Sequence, residues 1–268
     1  MGERAAVARN ERDGSVAAAG QPTIDALGQF QLHNSLGAIG RSVNFTQSNL
    51  FMLAGVALVL AFMYYGARPA QVVPGRLQAA AEMSYDFCLK LAVDQIGPEG
   101  VRFFPFAFAL FFFVLMGNVL GLFPYAFTYT SHIAVTGALA LMVIVFVTFV
   151  AIRENGRHFF LTYFMPAGAP KLLAPLIIPI EVISYLSRPV SLSIRLFANM
   201  VAGHVMLEVF ATFTIMLGGA SILGDALAVG PVVINVVLMG FEFFVAALQA
   251  YVFAILTCIY LHDAVHLH

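Results

Sequence analysis

Six ionisable side chains stand inside the long apolar stretches that close this sequence: Glu181, Arg188, Arg195, His204, Glu208 and Glu242. An ionised group at the centre of a bilayer costs about 2.5–3.5 kcal/mol on insertion scales, so such groups face a partner or water. Their spacing is ordered. Glu181, Ser184, Arg188, Ser191, Arg195 and Asn199 follow steps of 3, 4, 3, 4 and 4. On a helix those steps trace one polar stripe, about 27 Å long at 1.5 Å per residue. A polar stripe on a greasy helix suits an aqueous path or a sliding polar interface. The blander reading is a face buried against a polar partner helix, and Arg188, near one end, is also placed to snorkel.

His204 lies nine residues past Arg195, on the opposite helix face. Gln249 and Glu242 lie seven apart, on one face and about 10.5 Å from each other. Folding the two stretches as an antiparallel hairpin, with its turn near Leu223–Ala226, brings them into tiers. His204 comes level with Glu242, with Glu208 one turn beyond. Arg195 comes level with Gln249, and Glu181 with Ser184 forms the third tier. His and Glu exchange protons near neutral pH once their surroundings adjust them. Arg keeps its proton in every protein context. An arginine between two titratable tiers therefore blocks direct hopping, yet it attracts and deprotonates a carboxylate that moves past it.

The composition says what must position these groups. Of 268 residues, 61% are hydrophobic and 10% charged, with a mean hydropathy of +0.90. Soluble domains average about 45–50% apolar and about 25% charged residues, so this composition predicts an all-α polytopic membrane protein. A net charge of -1 excludes nucleic-acid binding by bulk electrostatics. Cys88 and Cys258 form neither a disulfide framework nor a metal motif. No Walker-type phosphate loop is present, so the chain is expected to bind no nucleotide, cofactor or metal and to be no enzyme by itself.

The expected domains are a polar tail with a short surface helix over residues 1–45 and a membrane domain over 46–268. Three ordinary spans are expected, at about 48–67, 103–127 and 133–152, each matching a core about 30 Å thick. Residues 74–97 mix Arg76, Glu82, Asp86, Lys90 and Asp94 with Leu77, Met83, Phe87 and Leu91, which predicts an amphipathic interfacial helix. Two long helices, about 172–217 and 229–262, complete the set. The first, Leu172–Leu217, would run about 69 Å, so it is either split at Pro189 or strongly tilted.

Loop charges choose between these. The links after the first and third spans carry Arg68, Arg76, Lys90 and Arg102, and Arg153, Arg157 and Lys171. The link at Tyr129–His132 and the turn at Gly218–Gly230 carry no Lys or Arg. Positive loops face the cytoplasm, which puts the N-terminus outside and the C-terminus inside. A split at Pro189 would invert that pattern, so a tilted hairpin is expected.

At these residues the sequence resembles subunit a of the rotary F-type ATP synthases. The run from Pro179 to His204 carries the resemblance, with its core Arg195-Leu-Phe-Ala-Asn-Met-Val-Ala-Gly203. Leu248–Leu261 and Gly117-Asn-Val-Leu-Gly-Leu-Phe-Pro124 resemble that family too, over roughly residues 48–262 in all. The resemblance implies a proton-channel stator subunit working against a c-ring, with b-type peripheral stalk subunits, in a bacterial plasma (inner) membrane. It implies that Arg195 separates two half-channels, with Asn199 and Gln249 as polar neighbours. Glu181 would serve the cytoplasmic half-channel, and His204 with Glu242 the outer one. The order of that His–Glu pair is exchanged relative to many bacterial members, which points to the alphaproteobacterial and mitochondrial branch. Ser184, Ser191 and Glu208 are supporting polar positions by geometry alone. The main rival, a secondary transporter, would carry inverted repeats, and the two halves differ in span length and charge.

Overall fold

The computed structural model describes residues 47–68, 73–123, 128–156, 174–218 and 222–266. The tail and surface helix expected over 1–45 lie outside the described residues. Six α-helices and one 3-10 turn are seen among these: α1 (Gln47–Gly66), α2 (Arg76–Ile96), α3 (Gly100–Gly121), the 3-10 turn Tyr129–Ser131, α4 (Ile133–Asn155), α5 (Ala174–Leu217) and α6 (Ile222–Val265). All but α2 are long and apolar enough to cross a membrane. The described residues fall into two compact units, one holding those of 47–203 with 239–266, the other those of 204–238. Both α5 and α6 contribute to each.

α5 is one continuous helix of 44 residues that runs through Pro179 and Pro189. At about 66 Å it is too long to stand along the normal of a core about 30 Å thick. Proline removes one intrahelical hydrogen bond, and a membrane helix tolerates it where neighbours satisfy the freed carbonyl.

Two boundaries differ from expectation. α6 begins at Ile222, so the turn expected at Leu223–Ala226 is helical, as is the stretch before residue 229. Glycine and Asp225 suggested a turn there. Asp225 instead occupies the first turn of α6, where the helix dipole favours an acid. α3 ends at Gly121 rather than at 127. Leu122 and Phe123 donate backbone hydrogen bonds to Val119 and Leu120, a tightened final turn, and Pro124 has no N–H with which to continue it. Residues 124–127 are outside the described set.

The larger unit has one apolar core. Phe103, Ala107, Leu110 and Val114 of α3 meet Ala140, Val143 and Val147 of α4. Leu192 and Leu196 of α5 and Ala250, Phe253 and Cys258 of α6 join them. With Ala254 completing the α6 set, each recurs at three- and four-residue spacing, the apolar face of its helix. α2 packs on α3, in part through the residues the sequence singled out: Leu91 is buried, and the Phe87 ring, though partly exposed, meets Phe111 of α3 with centroids 5.5 Å apart. Leu77 and Met83 are exposed, and the buried stripe is Ala81, Cys88, Leu91, Ala92 and Ile96. Small residues on that stripe let helix backbones approach closely. Burial pushes the Cys88 thiol up to about 12.

The two ends of this unit differ in polarity. At one end Arg102, in the first turn of α3 rather than in a link, donates to Glu154 of α4 at 2.7 Å. At the other end, the buried polar residues Asn118, Thr128, Thr130, Ser131 and Thr136 carry no formal charge. Here Gly117 and Gly121 leave room for the returning chain: a methyl group on Gly121 would overlap Thr128, and one on Gly117 would overlap Tyr129. The Tyr129 hydroxyl donates to the Phe113 carbonyl at 2.7 Å, fully buried.

We expect Gly121→Val to destabilise the protein by about 1–3 kcal/mol through overpacking, and Gly75→Ala, with open space around it, to be neutral. Thermal melting of the purified protein in detergent checks this; equal midpoints for the two variants would contradict the packing account.

Candidate functional site

The α5 stripe faces away from the core. Leu192, Leu196 and Met200 are buried on one side of the helix, while Ser184, Ser191 and Arg195 are exposed and Glu181, Arg188 and Asn199 half-buried on the other. Arg195 makes no ion pair among the described residues. A guanidinium left bare on an apolar helix requires water or a partner from outside this chain.

Arg188 is handled differently. Its Nη1 lies 3.2 Å from Asp263 Oδ2 on α6, and its guanidinium lies 5.0 Å over the Tyr260 ring and 5.9 Å from that of Tyr185. The Tyr185 hydroxyl in turn bonds Thr148 of α4. Arg188 is thus paired within the chain, which replaces the expectation that it snorkels alone.

α6 turns polar groups inward. Glu242 is 6% exposed and Gln249 4%. Both carboxylate oxygens of Glu242, and Nε2 of Gln249, are buried without a hydrogen-bond partner among the described residues. Buried polar atoms are nearly always satisfied, so these atoms stand out from the apolar core around them. The Glu242 carboxylate lies against Gly203 of α5, where any side chain would collide with it. The contacts Gly203–Glu242 and Arg188–Asp263 run in opposite order along the two helices, so these segments are antiparallel, and they bracket Arg195 and Gln249.

One turn from Glu242, the Ala246 carbonyl accepts a hydrogen bond from Asn118 Nδ2 at 3.3 Å. The Thr130 hydroxyl donates to Asn118 Oδ1 at 2.8 Å. The hydroxyls of Thr136 and Ser193 lie 3.2 Å apart. Asn118 and Thr130 thus tie α3 and the 3-10 turn to α6 one turn from Glu242, and Thr136 with Ser193 separately ties α4 to α5. His204 and Glu208 are half-buried and belong to the other unit; the Glu208 carbonyl accepts from the Thr212 hydroxyl at 2.9 Å.

Several residues of these arrangements escaped the sequence reading, and Asn118 was read only as a polar residue within its span, where it is the lone amide. Asn235, whose Oδ1 is buried without a partner, stands seven residues before Glu242, a spacing that could have revealed it. Thr130 and Asp263 carried no signal, since each reads as an ordinary helix-end polar residue.

Residues 49–262 match the ATP synthase A chain family. The chain is 68% identical over 251 residues to ATP synthase subunit a of Granulibacter bethesdensis, covering 93% of this chain and 100% of that protein. It is 67% identical over 243 residues to ATP synthase subunit a of Gluconacetobacter diazotrophicus, covering 91% and 97%. To that of Rhodospirillum rubrum it is 52% identical over 237 residues, covering 87% and 94%. The chain belongs to the ATP synthase A chain family. It is a multi-pass, non-catalytic membrane subunit that forms the proton channel of the F-type ATP synthase stator. The relatives are alphaproteobacterial, the branch to which the order of His204 and Glu242 points. The glycines of the family-like Gly117–Pro124 run have a physical role here: they admit the chain segment whose Thr130 bonds Asn118.

Asn118→Leu, which removes two buried hydrogen bonds beside Glu242, is expected to slow ATP-driven proton pumping by the assembled complex about tenfold. Thr130→Val, which removes one, is expected to slow it less. Acidification measured in inverted membrane vesicles tests the ranking, and wild-type pumping in Asn118→Leu would contradict it.

Proposed function

We propose that this subunit supplies two offset aqueous half-channels separated by Arg195 at the face of a c-ring. The observation that carries the proposal is the contrast between two arginines on one stripe: Arg188 is paired within the chain, and Arg195 is exposed and bare. A face that presents an unpaired guanidinium suits a passing carboxylate supplied by a rotor.

A proton enters from the outer side, passes the region of His204 and Glu242, and neutralises a carboxylate on the ring. The neutral carboxyl crosses lipid cheaply where the charged form does not. The ring turns nearly a full circle before that carboxyl returns to the inner half-channel near Glu181. There Arg195 favours ionisation of the carboxyl by Coulomb attraction, and the released proton leaves along the stripe through Glu181, Ser184 and Ser191. Because Arg195 holds its own proton, it closes the direct route between the half-channels. Asn199 and Gln249 orient it and its water. The subunit sits in the bacterial inner membrane with the Arg102–Glu154 end toward the cytoplasm and the C-terminus inside. The polar thread through Asn118 and Thr130 faces outward, and b-type stalk subunits hold the whole against rotation.

Arg195→Ala is expected to abolish proton-driven ATP synthesis while the complex still assembles. Synthesis near the wild-type rate in vesicles of equal complex content would sink the proposal. Glu242→Gln is expected to slow proton uptake from the outer side more than Glu208→Gln does, since Glu242 is the buried, unpaired carboxylate. Passive proton-flux assays check this, and equal effects would refute the ranking.

A further inference from the structure

Arg188 and Arg195 are seven residues apart on the same helix face, hence about 10.5 Å apart along α5. Two guanidiniums on one path would compete for the same passing carboxylate, and the second would repel a proton leaving along the stripe. Only one of them is left uncompensated. Arg188 is drawn toward α6 by Asp263 at 3.2 Å, with its side chain 20% exposed and that of Asp263 40% exposed. The rings of Tyr260 and Tyr185 lie on the same guanidinium, and the bond from Tyr185 to Thr148 fixes one of them to α4. The elements packed around Arg188 thus contribute one carboxylate and two aromatic faces to it, and the charge on the stripe is cancelled on its inner side.

We infer that Asp263 is a positioning residue for proton exit: it neutralises Arg188 and holds it on α6, so that Arg195 alone presents net positive charge to the rotor. The inference rests on the reading of the stripe as the inner half-channel. Removing the Asp263 charge frees Arg188 to swing onto the stripe, where it opposes proton passage and offers the ring carboxylate a false partner. Removing both charges leaves the stripe as it was. A plain structural clamp behaves differently, because loss of either partner, or both, then loosens the α5–α6 contact alike.

The test uses the intact ATP synthase in inverted membrane vesicles, with rates of ATP-driven proton pumping and of coupled synthesis normalised to complex content. Asp263→Asn is expected to slow pumping about three- to tenfold, and more at low ionic strength, where an uncompensated surface charge is least screened. Asp263→Glu, which keeps the charge, is expected to pump within about twofold of wild type. Arg188→Gln combined with Asp263→Asn is expected to recover most of the lost rate. A double variant as slow as Asp263→Asn, or an Asp263→Asn variant with wild-type rate and salt dependence, overturns the inference. Glu181→Gln and Arg195→Ala run alongside separate the levels. If those two impair coupling while Asp263→Asn does not, this inference alone fails; if they leave coupling intact, the half-channel reading fails with it.

Discussion

A guanidinium cannot shed its proton, and a bilayer cannot solvate it. Every arginine in this chain that lies within or beside an apolar helix must therefore meet a counter-charge, an aromatic face or water. Arg102 meets Glu154 and Arg188 meets Asp263. Arg195 is exposed and makes no ion pair among the described residues. On the proposed reading, that exposed charge is where a carboxylate from outside the chain would be met. The rest of the larger unit is arranged so that this charge stays where it is. Leu192, Leu196 and Met200 anchor the opposite face of α5, and the two α5–α6 contacts above and below Arg195 set its height.

The inverse problem is solved on α6. Both carboxylate oxygens of Glu242 and Nε2 of Gln249 are buried without a hydrogen-bond partner among the described residues, a condition that stable cores rarely tolerate. Their neighbours along the helix face are Ala246, Ala250 and Ala254. Small side chains leave backbone carbonyls accessible, and one of them, on Ala246, holds Asn118. Gly203 performs the matching service on α5 by leaving room for the Glu242 carboxylate. Room for polar groups in this apolar core thus comes from missing side-chain atoms, at Gly203 and Ala246, opposite Glu242 and Asn118.

Periodicity carried the features that obey one helix. The stripe from Glu181 to Asn199 and the Glu242–Gln249 face were legible because steps of three, four and seven have one geometric meaning, while the continuity of α5 through Pro189 followed from the charges of the loops. Features that depend on which helix lies alongside were not legible. The exposed positions of Leu77 and Met83 depend on which face of α2 meets its neighbours, and the sequence of α2 alone ranks the large apolar residues as the buried face. The end of α3 depends on chain returning over Gly117 and Gly121. The start of α6 depends on a dipole effect at Asp225 that competes with the turn preference of glycine. Asp263 reads as a solvated helix-end charge until Arg188 is placed beside it.

These two kinds of feature divide the work of the molecule. The periodic ones present charge to whatever moves past, and they need only a straight helix. The pairwise ones decide which charges remain visible, and they need a defined neighbour. In a soluble protein, water would blur that distinction by screening every exposed ion. In a membrane, a single ion pair changes the field along a whole helix face, because little else attenuates it. On the proposed reading, the pairing of Arg188 with Asp263 and the exposure of Arg195 are two halves of one electrostatic arrangement: the first would remove a charge from the stripe so that the second acts there alone.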